Sequence, residues 1–193
     1  KHVTPVLVVP EMAKYTLFTD AISKAFAGTG LRVGWLAGPP YIAARIKALM
    51  THMGAWAPRP EQIGTAEFIV NLPAVDAYLT EFKAGIRLRL DRLYTAFSQW
   101  KADGLPIDVI PPQGAIFLSV KFDLEGRPGI PDESSVLTYL LEKAGCAVVP
   151  FSAFGDNTNR GWYRFSVGAV SVEEIDTCLP RLRAALIAAS NPV

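Results

Sequence analysis

The sequence predicts an α/β chain, and three observations carry that prediction. Strand-like and helix-like signals alternate through the first third, and a single apolar stripe at helical spacing runs unbroken from Pro73 to Asp103. Beyond Gly104, short strand signals interleave with two helices, the pattern of a small α+β unit.

Taken in order, Val6 to Val9 is an apolar, strand-like run with no turn or helix leading into it. Together with the lack of an initiator methionine, it predicts a piece of a longer chain. Tyr15 to Thr19 is aromatic and β-branched, and Leu31 to Ala37 is a second apolar run, so both read as strands. Pro39-Pro40 opens a helix to about His52, and another begins near Pro60, carries Ile63, Ala66, Phe68 and Ile69, and ends at Asn71 and Pro73. From there Val75, Leu79, Phe82, Ile86, Leu90, Leu93 and Phe97 recur at steps of three or four, which makes one long helix with Gly104 as its terminator.

The remaining strand signals are Asp108 to Ile110, Ala115 to Phe122, Ala147 to Val149 and Trp162 to Val167. One helix spans Asp132 to Gly145. Another opens on the capping box Ser171-Val172-Glu173-Glu174 and continues through Ile175, Leu179, Leu182 and Leu186. The organisation read from this is 1–72 as part of a large domain, 73–104 as a linking helix and 105–193 as a small domain.

Half of the 193 residues are apolar, enough for a real core, while 19 Lys and Arg against 18 Asp and Glu leave a formal charge of +1. That balance gives neither nucleic acid nor an anionic membrane a reason to bind, and leaves a small charged ligand open. No apolar run approaches the ~20 residues of a membrane span. Lys1-His2-Val3-Thr4-Pro5 lacks the regions of a signal peptide, so a soluble, cytoplasmic protein is expected. Cys146 and Cys178 lie far apart without metal-ligand spacing, which predicts two reduced thiols, no disulfide framework and no metal.

The chemistry concentrates in Asp20-Ala21-Ile22-Ser23-Lys24-Ala25-Phe26-Ala27-Gly28-Thr29-Gly30-Leu31-Arg32-Val33-Gly34-Trp35. A lysine leaving a buried strand can sit where desolvation or a cationic neighbour makes its amine nucleophilic toward an aldehyde. Gly28 and Gly30 let the backbone turn, and Arg32 offers a forked donor suited to a phosphate dianion.

Ser23 to Trp35 resembles the cofactor-lysine motif of the class I/II aminotransferases, the fold type I pyridoxal-phosphate enzymes: Ser-Lys-x-Phe-Ala-x-Thr-Gly-x-Arg-x-Gly-aromatic. The break Gly38-Pro39-Pro40, the long helix and the small unit follow in the family's order, so the resemblance covers essentially the whole chain. It implies the later part of a large cofactor domain, in which Lys24 forms a Schiff base with pyridoxal 5'-phosphate, Arg32 binds its phosphate and Ser23 supplies a further contact. Ala21 stands where many members carry a hydroxyl, so one phosphate contact is missing. Gly161-Trp162-Tyr163-Arg164-Phe165-Ser166-Val167 resembles the strand whose arginine holds the substrate α-carboxylate, which assigns that role to Arg164 over a plain salt bridge.

The activity implied is transfer of an amino group from an amino acid to a 2-oxo acid, by a homodimer. The ring's acidic partner, its stacking aromatic and the phosphate-cradling turn lie upstream of the lysine in this family. Two rivals share the scaffold: another pyridoxal-phosphate enzyme such as a lyase or cyclopropane-forming synthase, and a cofactor-sensing regulator domain. Trp35 and Trp56 are expected in core packing, with lining of the pocket as the alternative, and His52 at a helix end. Pro111-Pro112-Gln113-Gly114 reads as a turn into a strand, and Asp156-Asn157-Thr158-Asn159 as a polar loop.

Overall fold

The computed structural model describes residues 3–158 and 160–190. Asn159 of the expected polar loop, and Lys1 and His2 at the start, lie outside the described residues. The chain divides into two compact units, one up to Phe82 and one from Lys83.

In the first unit the run read as a strand, Val6 to Val9, instead contributes to a single helical turn, α1 (Pro5–Val8). Composition favours a strand there, but the Thr4 side chain accepts the Leu7 amide and Pro5 occupies the first helical position, where its fixed φ suits a helix. A 3₁₀ turn, Pro10–Tyr15, then takes Tyr15, so strand β1 starts late, at Phe18, and ends at Ala21. It pairs antiparallel with β2 (Gly34–Ala37), Phe18 opposite Ala37 and Ala21 opposite Gly34. Between them lie the helical turn α2 (Ile22–Ala25) and a 3₁₀ turn, Thr29–Leu31, which removes Leu31 from the expected strand.

The sharp exit from β2 depends on Gly38. A Cβ there would stand 2.5 Å from Leu17 Cδ2 and 3.1 Å from the Thr16 carbonyl oxygen. Helix α3 (Pro40–Met53) closes at Gly54 in the left-handed region, φ 64°, and α4 (Arg59–Val70) follows. The long helix is α5 (Leu72–Ala102), 31 residues, whose first turns belong to this unit.

The second unit is built on a four-stranded antiparallel sheet in the order β3 (Ile107–Val109), β4 (Phe117–Phe122), β6 (Trp162–Ser166), β5 (Val149–Pro150). Period-two alternation buries Leu118, Val120 and Phe122 on β4, and Tyr163 and Phe165 on β6. Ile86, Leu90, Leu93, Phe97 and Trp100 of α5 are buried too, and Phe97 meets Phe165 edge-on at 5.8 Å. The stripe at helical spacing is thus a core stripe in its later half.

Helix α6 (Glu133–Tyr139) is capped by Asp132, which accepts the Ser135 amide at 2.8 Å. It widens into a π-helical turn, Leu140–Ala144, and stops at Gly145, φ 71°. Helix α7 (Val172–Ser190) opens on the expected box: the Ser171 amide donates to Glu174 Oε2 at 2.7 Å, and the Glu174 amide to Ser171 Oγ at 3.2 Å. It runs on through Pro180, which ordinarily costs a helix interior about 3 kcal/mol. Burial of Ile175, Leu182, Ala185 and Leu186 along the same helix offsets that.

Candidate active site

Ser23 and Lys24 sit in the helical turn α2, immediately after β1. The turn is held at both ends by backbone bonds: the Ile22 amide donates to the Val33 carbonyl at 3.3 Å, and the Phe26 and Gly28 amides both donate to the Ile22 carbonyl. Ile22 and Val33 are buried, which pins the base of the loop, while Lys24 itself is exposed. Phe26 packs edge-on against Phe68 at 5.4 Å and lies 5.9 Å from Tyr78, so α4 and the start of α5 hold the far side of the loop. A small apolar groove opens there between Ile22, Phe26, Leu31, Thr65 and Phe68.

The same loop carries Arg32 to its other end. Thr29 braces it twice over, donating its hydroxyl to the Ser23 carbonyl at 3.0 Å and accepting on its own carbonyl from Arg32 Nη1 at 3.0 Å. Ala27 (φ 50°) and Arg32 (φ 55°) adopt left-handed backbone without being glycine, a conformation that costs of order 1 kcal/mol or more and persists only where surroundings impose it. Among the described residues Arg32 has no carboxylate partner, and Lys24 has neither a hydrogen bond nor an ion pair. Ser23 is half-buried. The loop therefore gathers an uncommitted amine, a hydroxyl and a guanidinium with spare donors.

Arg164 lies in the second unit, on β6 opposite Ser119 of β4. Because Tyr163 and Phe165 face the core, Arg164 stands on the other face of the sheet, half-buried. Its guanidinium carbon lies 4.3 Å from the centroid of the Phe117 ring and 4.5 Å from that of Phe154. Its Nε is buried without a hydrogen-bond partner, and among the described residues it forms no salt bridge. A half-buried cation lying against two rings, with donors unspent, is arranged to take an anion. The sequence reading missed both rings. Phe117 is visible as the large aromatic out of phase with buried Leu118, Val120 and Phe122; Phe154 closes a 3₁₀ turn, Phe151–Phe154, that nothing in the periodicity announces.

A model of the family described as aminotransferase class I and II matches residues 3–182. The chain belongs to the class I and II aminotransferases. It is 28% identical over 191 residues to a bifunctional aspartate aminotransferase and glutamate/aspartate-prephenate aminotransferase of Petunia hybrida, covering 96% of this chain and 38% of that protein. With a probable aspartate/prephenate aminotransferase of Rhizobium leguminosarum bv. phaseoli it shares 32% identity, over 95% of this chain and 44% of the relative. A solved aspartate aminotransferase of Thermus thermophilus, a tetra mutant, superposes with a TM-score of 0.80 at 29% identity, over 96% of this chain and 47% of the other. The mixed helix and sheet architecture is thus a partial aminotransferase fold, and the chain spans under half the length of these relatives.

Other residues fall as follows in this aminotransferase chain. Trp35 and Trp56, expected in the core, are exposed at 40% and 53%. Trp35 lies on the exposed side of β2 in a two-stranded sheet, and Trp56 in the segment that joins α3 to α4, so neither is packed into a core. His52 is exposed near the end of α3. Gln113 and Gly114 precede a turn with Ala115 at φ 61° that leads into β4. Asp156 accepts the Thr158 amide and hydroxyl at 3.0 and 2.8 Å. No described helix is long and apolar enough to cross a membrane.

Proposed function

We propose that the protein containing this chain transfers an amino group from an amino acid to a 2-oxo acid using pyridoxal 5'-phosphate. In this reading Lys24, Ser23 and Arg32 hold the cofactor and Arg164 binds the substrate α-carboxylate. Residues 1–72 are the later part of the large domain, 73–104 the linking helix and 105–193 the small domain of a cytoplasmic homodimer. The observation that carries the reading is the loop itself: an amine with no partner among the described residues, a hydroxyl, and a guanidinium with free donors, braced by Thr29. That donor set suits an aldehyde bearing a phosphate dianion. Ala21 adds nothing to it.

When bound, the cofactor supplies an aldehyde for the amine and an electron sink for the substrate's α-carbon. Lys24 tethers it through Nζ and afterwards uses the same atom to carry a proton to and from that carbon, general acid-base work in which the amine must be unprotonated part of the time. Arg32 and Ser23 keep the phosphate end fixed. Arg164 presents parallel N–H donors to the carboxylate, and its rings limit how the guanidinium can turn. The names of the relatives, aspartate and prephenate aminotransferases, support amino-acid and 2-oxo-acid substrates. No observation favours a lyase, a synthase or a regulator.

Borohydride treatment of the full-length holoenzyme tests the assignment. It is expected to fix the cofactor covalently to the peptide containing Ser23-Lys24-Ala25-Phe26. Lys24→Ala is expected to lose more than the ~100 to 10,000-fold typical of deleting a general acid or base, and Lys24→Arg to do no better, since a guanidinium stays protonated. Label on Lys14 or Lys47 instead, or near-normal turnover by Lys24→Ala, would sink the reading.

A further inference from the structure

Two thiols that the sequence sets far apart meet in the second unit. Cys146 follows the π-helical turn and Gly145, and Cys178 lies on α7; their sulfurs are 2.8 Å apart. Cys146 is buried at 3% exposure, whereas Cys178 is half-buried and open to a small solute. Arg181, one turn along α7, lays its guanidinium against the turn before Cys146: a Cβ on Gly145 would stand 3.4 to 3.5 Å from Arg181 Nη2, Cζ and Nη1. Neither thiol belongs to the amino-transfer machinery described above.

We propose that Cys146 and Cys178 form a dithiol modification site, oxidised by hydrogen peroxide to a disulfide that joins the end of the π-helical turn to α7. Three features of the geometry support this. The sulfurs need to close by under about 1 Å to reach the 2.03 to 2.05 Å of a disulfide. One thiol is accessible and the other sheltered, so attacking and resolving roles are distinct. A cation stands beside the pair, which favours a thiolate. The hydrogen bond between the two thiols, with Arg181 adding to it, lowers the Cys178 thiol below the usual range; the same bond and burial raise Cys146.

The steps balance. Cys178 Sγ, as thiolate, attacks one peroxide oxygen; the O–O bond breaks and the departing hydroxide takes a proton to become water. Cys178 is left as a sulfenic acid. Cys146 Sγ then gives up its proton and attacks the Cys178 sulfur; the S–O bond breaks and the second oxygen leaves as water. The two sulfurs have each lost one electron, and the peroxide is reduced to two molecules of water.

The test uses the reduced full-length protein treated with a small excess of hydrogen peroxide and mapped by mass spectrometry without reduction. The expected result is one cross-linked pair of peptides containing Cys146 and Cys178, lighter by two hydrogens than the separate peptides and cleaved by dithiothreitol. A rise in Tm of at least about 5 °C for the second unit should accompany it, because a loop of 32 residues is closed in the unfolded chain. Cys146→Ser removes the resolving thiol, so a sulfenic acid trapped by dimedone on Cys178 should replace the cross-link. Where that variant fails to fold, the wild-type map decides alone. Separate sulfinic acids at the two cysteines, a cross-link formed only in denaturant, or no reaction under conditions that oxidise a free thiol would overturn the proposal.

Discussion

The two units hold their candidate functional side chains in opposite ways. In the second, Leu118, Val120, Phe122 and Tyr163 are at most 1% exposed, and the sheet they build presents Arg164 on its far face between two rings. In the first, Ile22, Val33 and Thr65 are buried while Leu17, Phe18, Trp35, Tyr41 and Trp56 are 39% exposed or more. Lys24 and Arg32 stand there on a loop held by its own backbone bonds, by Thr29, by buried Ile22 and Val33 and by Phe26 against Phe68 and Tyr78. A side chain on a closed core is oriented by packing that the same unit supplies. A side chain on such a loop is oriented by short-range hydrogen bonds, which contribute about 1 kcal/mol each.

The two units differ most in their cores. Phe122 is fully buried and 5.8 Å from Tyr163, so Phe122→Ala in this chain is expected to cost the second unit about 3 to 5 kcal/mol. Phe18 on β1 is 39% exposed, and Phe18→Ala should cost less than about 1 kcal/mol. Urea unfolding followed by a probe in each unit measures both. Equal losses would mean that the first unit is as tightly closed as the second.

If Arg164 binds the α-carboxylate as proposed, Arg164→Ala, losing a partly buried, charge-assisted pair of about 2 to 4 kcal/mol from the full-length protein, should raise KM for an amino acid by roughly 30 to 1,000-fold. An amine lacking a carboxylate should be almost unaffected. Steady-state kinetics on the two substrates decide it, and parallel losses on both would make Arg164 a structural residue.

Much of this was legible in the sequence because the signals were local. The stripe from Val75 to Phe97 needs only helical spacing, and Ser171 with Glu174 names both partners of its capping box. Val6 to Val9 carries a strand-like composition yet joins a helical turn, because apolar content alone does not separate the two; Thr4 and Pro5 decide it. The lysine motif puts Ser23, Lys24 and Arg32 on one loop, but the left-handed Ala27 and Arg32 and the bracing by Thr29 depend on how that loop closes. Phe154 against Arg164, and Cys146 against Cys178, are invisible for a further reason. Each joins residues whose proximity depends on strand register or on where α7 docks, and neither is written in the spacing.

The smallest effect tests the finest part of the contrast, namely whether the rings orient Arg164 or merely cover it. Phe154 is 57% exposed, so its ring gives little to stability, and a cation-π contact at such a site contributes about 0.5 to 1 kcal/mol. If the ring fixes the guanidinium, Phe154→Ala lets it swing, and the amino acid must pay for ordering it again on binding. KM for the amino acid should then rise roughly 2 to 5-fold with kcat nearly constant, the uniform-binding pattern. Phe154→Tyr keeps the ring face and should restore the wild-type value, while Phe154→Leu, similar in bulk but without a π face, should not. Equal rescue by tyrosine and leucine would show that Phe154 only shields Arg164 from water, and the second unit's site would then owe its order to Phe117 and the sheet alone.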